Sequence, residues 1–421
     1  MRAALDLIER DEALMLDQFD RLLGLDTSFP PGAGYAELAD AVEPMTVPLG
    51  FTSKRVVVPQ DLWDSGAGDV HGDRVNVVSR RDTGLPVCSI YFHVDTVPPG
   101  PGWTKPPFRL TREGQLLYGR GAADMKGTIV AVLAAIRAMH SAGVAFAFDP
   151  ALLFCTDEEG GLYPGIRYLA EQGLVEGHLL SFNGQAMPRI WAGCFGSIDL
   201  RIDVEGRSTH SGDPGNGVNA VETAMPLLNT LMALKGEVET RRSAMPPPPH
   251  YPGGEPLPAK LTIAAIHGGH KGSALPGECT ILVNRRYAPE EAAAAVLAEL
   301  EGTVDRALDG SGAVSWRRRV VGHLAPVADP TGPHWPRWQA ALSAGFGFAD
   351  TDFRKYGSST SSDMGWVQQA GIQEILLGGL VRPTSNAHGP DEHTTLADLR
   401  ALARSVALYL ARPFAPALLP A

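Results

Sequence analysis

Apolar, β-branched runs that stop at an acid, a glycine or a proline recur in the first 160 residues of this chain, at 56–58, 75–78, 87–94 and 151–155. An Ala-rich helical stretch at 128–140 separates the last two. Strands buried on both faces read as continuous apolar runs, so the pattern predicts an α/β domain built on a largely parallel sheet covered on both sides. Leu5, Ile8, Leu14, Phe19, Leu22 and Leu23 repeat at helical spacing and predict one surface helix over 5–24, leading into the turn Pro30-Pro31-Gly32.

The pattern changes near residue 195. Residues 195–205 alternate apolar and polar, as a strand with one wet face does; a helix follows at 218–235, then strands near 260–267 and 279–287, a helix at 289–308 and a strand near 314–321. That order, βαββαβ, is ferredoxin-like and self-contained. It is expected to form an inserted domain over 194–321, with 1–193 and 322–421 as one discontinuous catalytic domain. Within the insert, the Pro- and Gly-rich stretch 246–258 breaks both helix and strand and reads as a loop that overhangs the site.

Composition narrows the function. A net charge of −11 without any Lys/Arg-rich run argues against a nucleic-acid surface and favours small-molecule partners. The charged amino terminus lacks a signal-peptide core, and no stretch reaches membrane-spanning length, so the expected location is the cytoplasm and no membrane partner is expected. Cys88, Cys155, Cys194 and Cys279 are far apart and form no CxxC pair, so they are read as buried, reduced and structural.

Ligand chemistry in such sheets gathers beyond the carboxyl ends of the strands, and the residues found there are His93-Val94-Asp95, Asp124 and Asp157-Glu158-Glu159. His93 and Asp95 share one face at a strand end, a pairing that suits a metal-bound imidazole steadied by a carboxylate, or equally a capped turn. Asp124 follows a Gly-rich turn and precedes a helix, where Asp is favoured as a cap; a carboxylate with two oxygens can also bridge two cations. Three consecutive carboxylates after an apolar strand repel one another; either water or a cation relieves them, and one of the glutamates can then accept a proton. His388, in SNAHGPDEH, is a loop histidine near the last helix.

Taken in order, HVDTVP, GRGAADMKG, TDEEGG, GRSTHSG with GVNA, NRRYAP and AHGPDE resemble the M20 family of metallopeptidases and amidohydrolases over nearly the whole chain. The resemblance implies that His93 binds one metal, that Asp124 bridges two, and that Glu159 and His388 complete the second site. It makes Glu158 the general base and Asp95 the residue that orients His93. It assigns His210 to the oxyanion, reached across a homodimer formed by the inserted lid. Arg286, with Arg285 as a fallback, would hold a substrate carboxylate, and Asn219 and Ser273 would lie in substrate-binding turns.

Two positions depart from the family. Asn183 stands where a metal-binding Glu or Asp is expected, so it is a weak or absent ligand and the metal pair is expected to be unequal. Ser273 replaces the usual Asn of an NxxP turn. The expected cofactor is one or two divalent ions, Zn before Mn or Co. The expected activity is hydrolysis of an amide-type C–N bond in a small carboxylate-bearing molecule, an N-acyl amino acid or a dipeptide, by metal-activated water with a Glu base. An ammonia-releasing aminohydrolase acting on an aryl amine or amidine is a second reading. A catalytically silent ligand-binding homologue is a third.

Overall fold

A computed structural model describes residues 1–64, 70–160 and 162–415. Gly161, which follows Gly160 in the sequence after the three carboxylates, lies outside the described residues. The chain divides into two compact units, one of 1–191, 330–355 and 366–421, the other of 192–329 and 356–365.

The first unit is organised by a six-stranded sheet in the order Thr52–Val57, Val75–Arg80, Asp149–Cys155, Val87–His93, His178–Ser181, Ile375–Leu377. The last four strands run parallel, whereas the first two join antiparallel and form one edge. Every residue of Asp149–Cys155 is buried, as are six of the seven in Val87–His93. Successive side chains point to opposite faces, so both faces are covered. The apolar helices Lys126–Ser141 and Leu396–Leu410 pack on one another. The expected amino-terminal helix is two, Arg2–Arg10 and Glu12–Leu23. Asp11 leaves helical geometry between them, and both buried stripes, Ala4, Leu5 and Ile8, then Met15, Phe19, Leu22 and Leu23, pack toward Lys126–Ser141. Among the described residues no helix is long and apolar enough to cross a membrane.

At the amino end of its strand His178 is buried against the His334 ring, 3.9 Å away and nearly parallel, and its Nε2 accepts the Tyr409 hydroxyl at 2.5 Å. Burial, then the neighbouring His334 and Arg337, bring the His178 pKa down to about 3. Glu374, paired to His334 at 2.6 Å, is the nearby carboxylate. An unfolded chain protonates this ring near pH ~6.5, so stability is complete above that value and drains as pH falls toward 3, by at most about 1.4 kcal/mol per unit. His178→Gln, which keeps an acceptor for Tyr409, is expected to flatten the acid limb of a thermal-stability profile. Equal slopes for the variant and the parent would contradict this.

The second unit is a four-stranded antiparallel sheet ordered Lys260–Gly268, Glu278–Tyr287, Gly196–Glu205, Ser315–Leu324. Ile198, Leu200, Ile202, Ile281 and Val283 form a core with Leu227 and Leu231 of the helix Ala220–Val238 and Leu300 and Val304 of Ala293–Leu308. The unit extends past the expected end at 321 and takes in 356–365. The reason is backbone pairing: the Phe195 N–H donates to the Ser358 and Thr360 carbonyls, both at 3.1 Å, and the Gly357 N–H to Pro246 O at 2.9 Å. The 246–258 stretch is anchored here as well, with Leu257 and Tyr251 packed near Phe195 and Ala288.

Candidate metal centre

His93 and Cys155 are register partners, and the Val87–His93 strand lies between Asp149–Cys155 and His178–Ser181. Three neighbouring parallel strands therefore end side by side and deliver His93, Glu158 and Asn183 to one edge of the sheet. The chain passes from the central strand to one neighbour and later to the other, so strand order reverses at this edge, where ligands bind in open α/β sheets.

The His93 ring is fully buried, with Nδ1 3.0 Å from the Asp95 backbone carbonyl. A carbonyl only accepts, so Nδ1 carries a hydrogen, and Nε2 faces Asp124 Oδ1 at 3.0 Å. In a neutral ring that places a lone pair against a carboxylate, a conflict that a proton or a cation removes. Burial alone would lower the His93 pKa, but the bond to Asp124 and the charges of Glu158, Asp124 and Asp95 carry it well above its usual value.

The other Asp124 oxygen, Oδ2, lies 3.4 Å from His388 Nε2, which is also 3.2 Å from Glu159 Oε2. Asp124 thus has an imidazole on each oxygen. Burial would raise its pKa, yet the bonds from His388 and His93 hold it below the ordinary carboxylate value. Hydrogen bonds to Asp124 and then Glu159 lift His388 to about 10. One donor atom from each of His93, Asp124 and Glu159 lies within 4.8 Å of the others. Nitrogen and oxygen donors this close, with an excess of negative charge, fit a divalent cation.

Three loops hold these residues in place. Asp95 accepts the His93 Nδ1–H through its backbone carbonyl, while its carboxylate, with Oδ1 3.8 Å from Nδ1, acts on the ring by charge alone. Its Oδ2 instead accepts the Glu159 N–H at 2.8 Å, and burial pushes the Asp95 carboxyl up to about 7. Asp157 has φ +62°, a left-handed conformation costly for a side chain. Its carboxylate is fixed by the Tyr35 hydroxyl at 2.8 Å and by Arg74 Nε at 2.7 Å, all three residues being buried. The next residue, Glu158, accepts the Asn183 side-chain amide at 2.6 Å.

Glu392 accepts the amides of Gly121, Ala123 and Asp124 at 2.9–3.1 Å and Arg120 Nη1 at 2.5 Å. Arg120 Nη2 donates onward to the carbonyls of His388 and Gly389 at 3.3 and 3.1 Å. This buried ion pair ties the turn of Asp124 to the loop of His388. Nothing in the sequence pattern pairs them, although Arg120 stands in GRGAAD and Glu392 in AHGPDE.

In the second unit the expected residues fare differently. The Gly212 N–H donates to His210 Nδ1 at 3.0 Å, so a neutral His210 carries its hydrogen on Nε2, and the side chain is exposed. Ser273 offers its carbonyl to the Ser211 N–H at 3.0 Å and so braces the His210 turn. Asn219 is a helix cap: its Oδ1 accepts the amides of Val221 and Glu222 at 3.0 and 3.2 Å, so that oxygen is committed to the helix start. Arg285 is fully buried and paired with Glu291, which removes it as a fallback for a substrate carboxylate. Arg286 remains on the other face of the strand.

Two imidazoles, three carboxylates and an α/β sheet edge define a metal-dependent hydrolase. The chain belongs to peptidase family M20/M25/M40, whose sequence model matches residues 89–412, and it is an enzyme that hydrolyses amide-type C–N bonds. Among its relatives, succinyl-diaminopimelate desuccinylase of Xanthomonas oryzae pv. oryzae is 30% identical over 79% of this chain and 85% of its own. The desuccinylase of Delftia acidovorans is 31% identical over 90% and 93%. Among solved structures, the di-peptidase Dug1p from Saccharomyces cerevisiae superposes with a TM-score of 0.78 at 15% identity, covering 97% of both chains. The M20 metallo-carboxypeptidase Sso-CP2 from Sulfolobus solfataricus gives 0.74 at 18%, covering 94% of this chain and 99% of that one.

Proposed function

We propose that this chain hydrolyses the amide bond of a small carboxylate-bearing molecule, an N-acyl amino acid or a dipeptide. The supporting observation is Asp124 with one oxygen toward His93 and the other toward His388, beside a glutamate steadied by Asn183. Here His93, Asp124, Glu159 and His388 hold one or two divalent ions, zinc before manganese or cobalt. A bound divalent ion supplies Lewis acidity toward the water nucleophile and the substrate carbonyl. Glu158 takes a proton from the attacking water as the C–O bond forms and passes it to the amine nitrogen as the C–N bond breaks. His210, donating from Nε2, stabilises the oxyanion, and Arg286 holds the carboxylate. We read the working form as a homodimer made through the second unit, where the strand Lys260–Gly268 ends the sheet with Ile266 exposed, and Met225 and Met232 are exposed on the helix Ala220–Val238. The four buried cysteines accord with a cytoplasmic location.

The test is a screen of N-succinyl and other N-acyl amino acids and dipeptides with and without added divalent ions. Release of a carboxylic acid and an amine supports the reading; ammonia without an acid fragment sinks it in favour of the aminohydrolase.

The amide of Asn183 contributes no charge and donates to Glu158, so the ion nearer His93 is expected to be lost first on dialysis against a weak chelator. One equivalent per chain should remain. Asn183→Asp should raise the retention of a second equivalent on the order of tenfold, since ligand charge count tunes such sites. Two equally tight ions in the parent protein would refute the unequal pair.

A further inference from the structure

We propose that Asn284 and Ser361 are positioning residues which hold Arg286 through neutral acceptors and so keep its charge available for a substrate carboxylate. The inference rests on the carboxylate reading above and adds how the second unit prepares the residue that would read the substrate.

Along Glu278–Tyr287 burial alternates, so Arg285 enters the helix-covered core while Asn284 and Arg286 share the opposite face. The two arginines meet different surroundings. The charge of Arg285 is paired with Glu291, as that of Arg241 is with Glu291 and Glu299, and that of Arg318 with Glu301 and Asp305. Arg286 has no carboxylate at ion-pair distance among the described residues. Its Nε donates to Asn284 Oδ1 at 3.2 Å and its Nη1 to the Ser361 hydroxyl. Both acceptors are uncharged, so they fix the guanidinium without cancelling it. Two of its five N–H donors are spent and three remain, enough for a bidentate carboxylate.

The orientation of Asn284 is itself determined. Its Nδ2 donates to Asp199 Oδ1 at 2.7 Å and to Ser197 Oγ at 2.9 Å, which turns the amide oxygen to Arg286. The acid of this cluster, Asp199, is thereby kept one side chain away from the cation. Ser361 comes from the 356–365 segment, pinned beside Phe195 by the paired carbonyls of Ser358 and Thr360. This gives that segment a reason to belong to the second unit.

The experiment measures KM and kcat for the best substrate of the screen and for the same compound with its carboxylate replaced by a carboxamide. Asn284→Asp puts a carboxylate on Arg286 with little change of shape, and Ser361→Ala removes one holding bond. The first is expected to raise KM for the carboxylate substrate about tenfold or more and the second severalfold, the scale of a charged hydrogen bond. In both, kcat should stay within about twofold, kinetics on the carboxamide should not move, and Ser361→Thr should restore KM. If Arg286→Ala raises KM and neither neighbour does, the positioning inference is overturned and the carboxylate reading stands. If Arg286→Ala leaves KM unchanged, the carboxylate reading itself fails. Equal losses on both compounds would make the two residues merely structural and overturn the inference. Should Asn284→Asp not fold, Ser361→Ala and its Thr rescue decide the matter alone.

Discussion

Glu158→Gln is expected to lower kcat about 10²- to 10⁴-fold, the usual contribution of a general base, while the purified protein keeps its bound metal. The substitution is nearly isosteric, and the Asn183 amide can donate to a Gln oxygen as it does to Glu158 Oε1. The turn is held from elsewhere, by Tyr35 and Arg74 on Asp157 and by Asp95 on the Glu159 amide. What the variant lacks is the ability to take a proton from water and give it to the leaving amine. The ligands Asp124, Glu159, His93 and His388 are untouched, so metal content and thermal stability should match the parent. Near-normal turnover in Glu158→Gln would remove the base assignment; lost metal would show that Glu158 is a ligand.

His93, Asp124 and the two glutamates were legible because chemistry and topology coincide there: apolar runs end, and parallel strands must deliver their loops to one edge. The insert was legible for a related reason, since its strands alternate and its helices carry single apolar stripes. Residues 356–365 carry no such pattern. They join the second unit through main-chain hydrogen bonds, which any sequence of that length can make. Asn219 was not legible as a cap because an Asn that caps a helix and an Asn that binds a ligand look alike in sequence; only the amides of Val221 and Glu222 on its Oδ1 show the capping role. Likewise Arg285 and Arg286 are adjacent and identical in type, and only the strand's two-residue period combined with Glu291 separates them. Asp95 kept its place beside His93 but makes its hydrogen bond to the ring through the main chain and adds only charge from its carboxylate, a distinction that side-chain identity does not encode.

Removing the cation from the Arg120–Glu392 pair should have the largest effect on stability. Both side chains are about 1% exposed, and Glu392 is ringed by three amides as well as by Arg120. Arg120→Met would leave a buried carboxylate without its counter-charge, a loss of about 3–5 kcal/mol. The damage should also reach the metal centre, because the same guanidinium binds the carbonyls of His388 and Gly389 and the same carboxylate binds the Asp124 amide. Metal retention should therefore fall together with the unfolding midpoint. Glu392→Gln strands Arg120 in turn and sets an amide nitrogen against donors, so it should cost a similar amount. Since each single change already breaks the pair, the double variant should lose clearly less than the two losses combined. Urea unfolding of the four proteins, with metal content measured beside it, checks this. An Arg120→Met protein within about 0.5 kcal/mol of the parent, the range of ordinary surface changes, and with unchanged metal retention would mean that the two ligand-bearing loops are held together by something else.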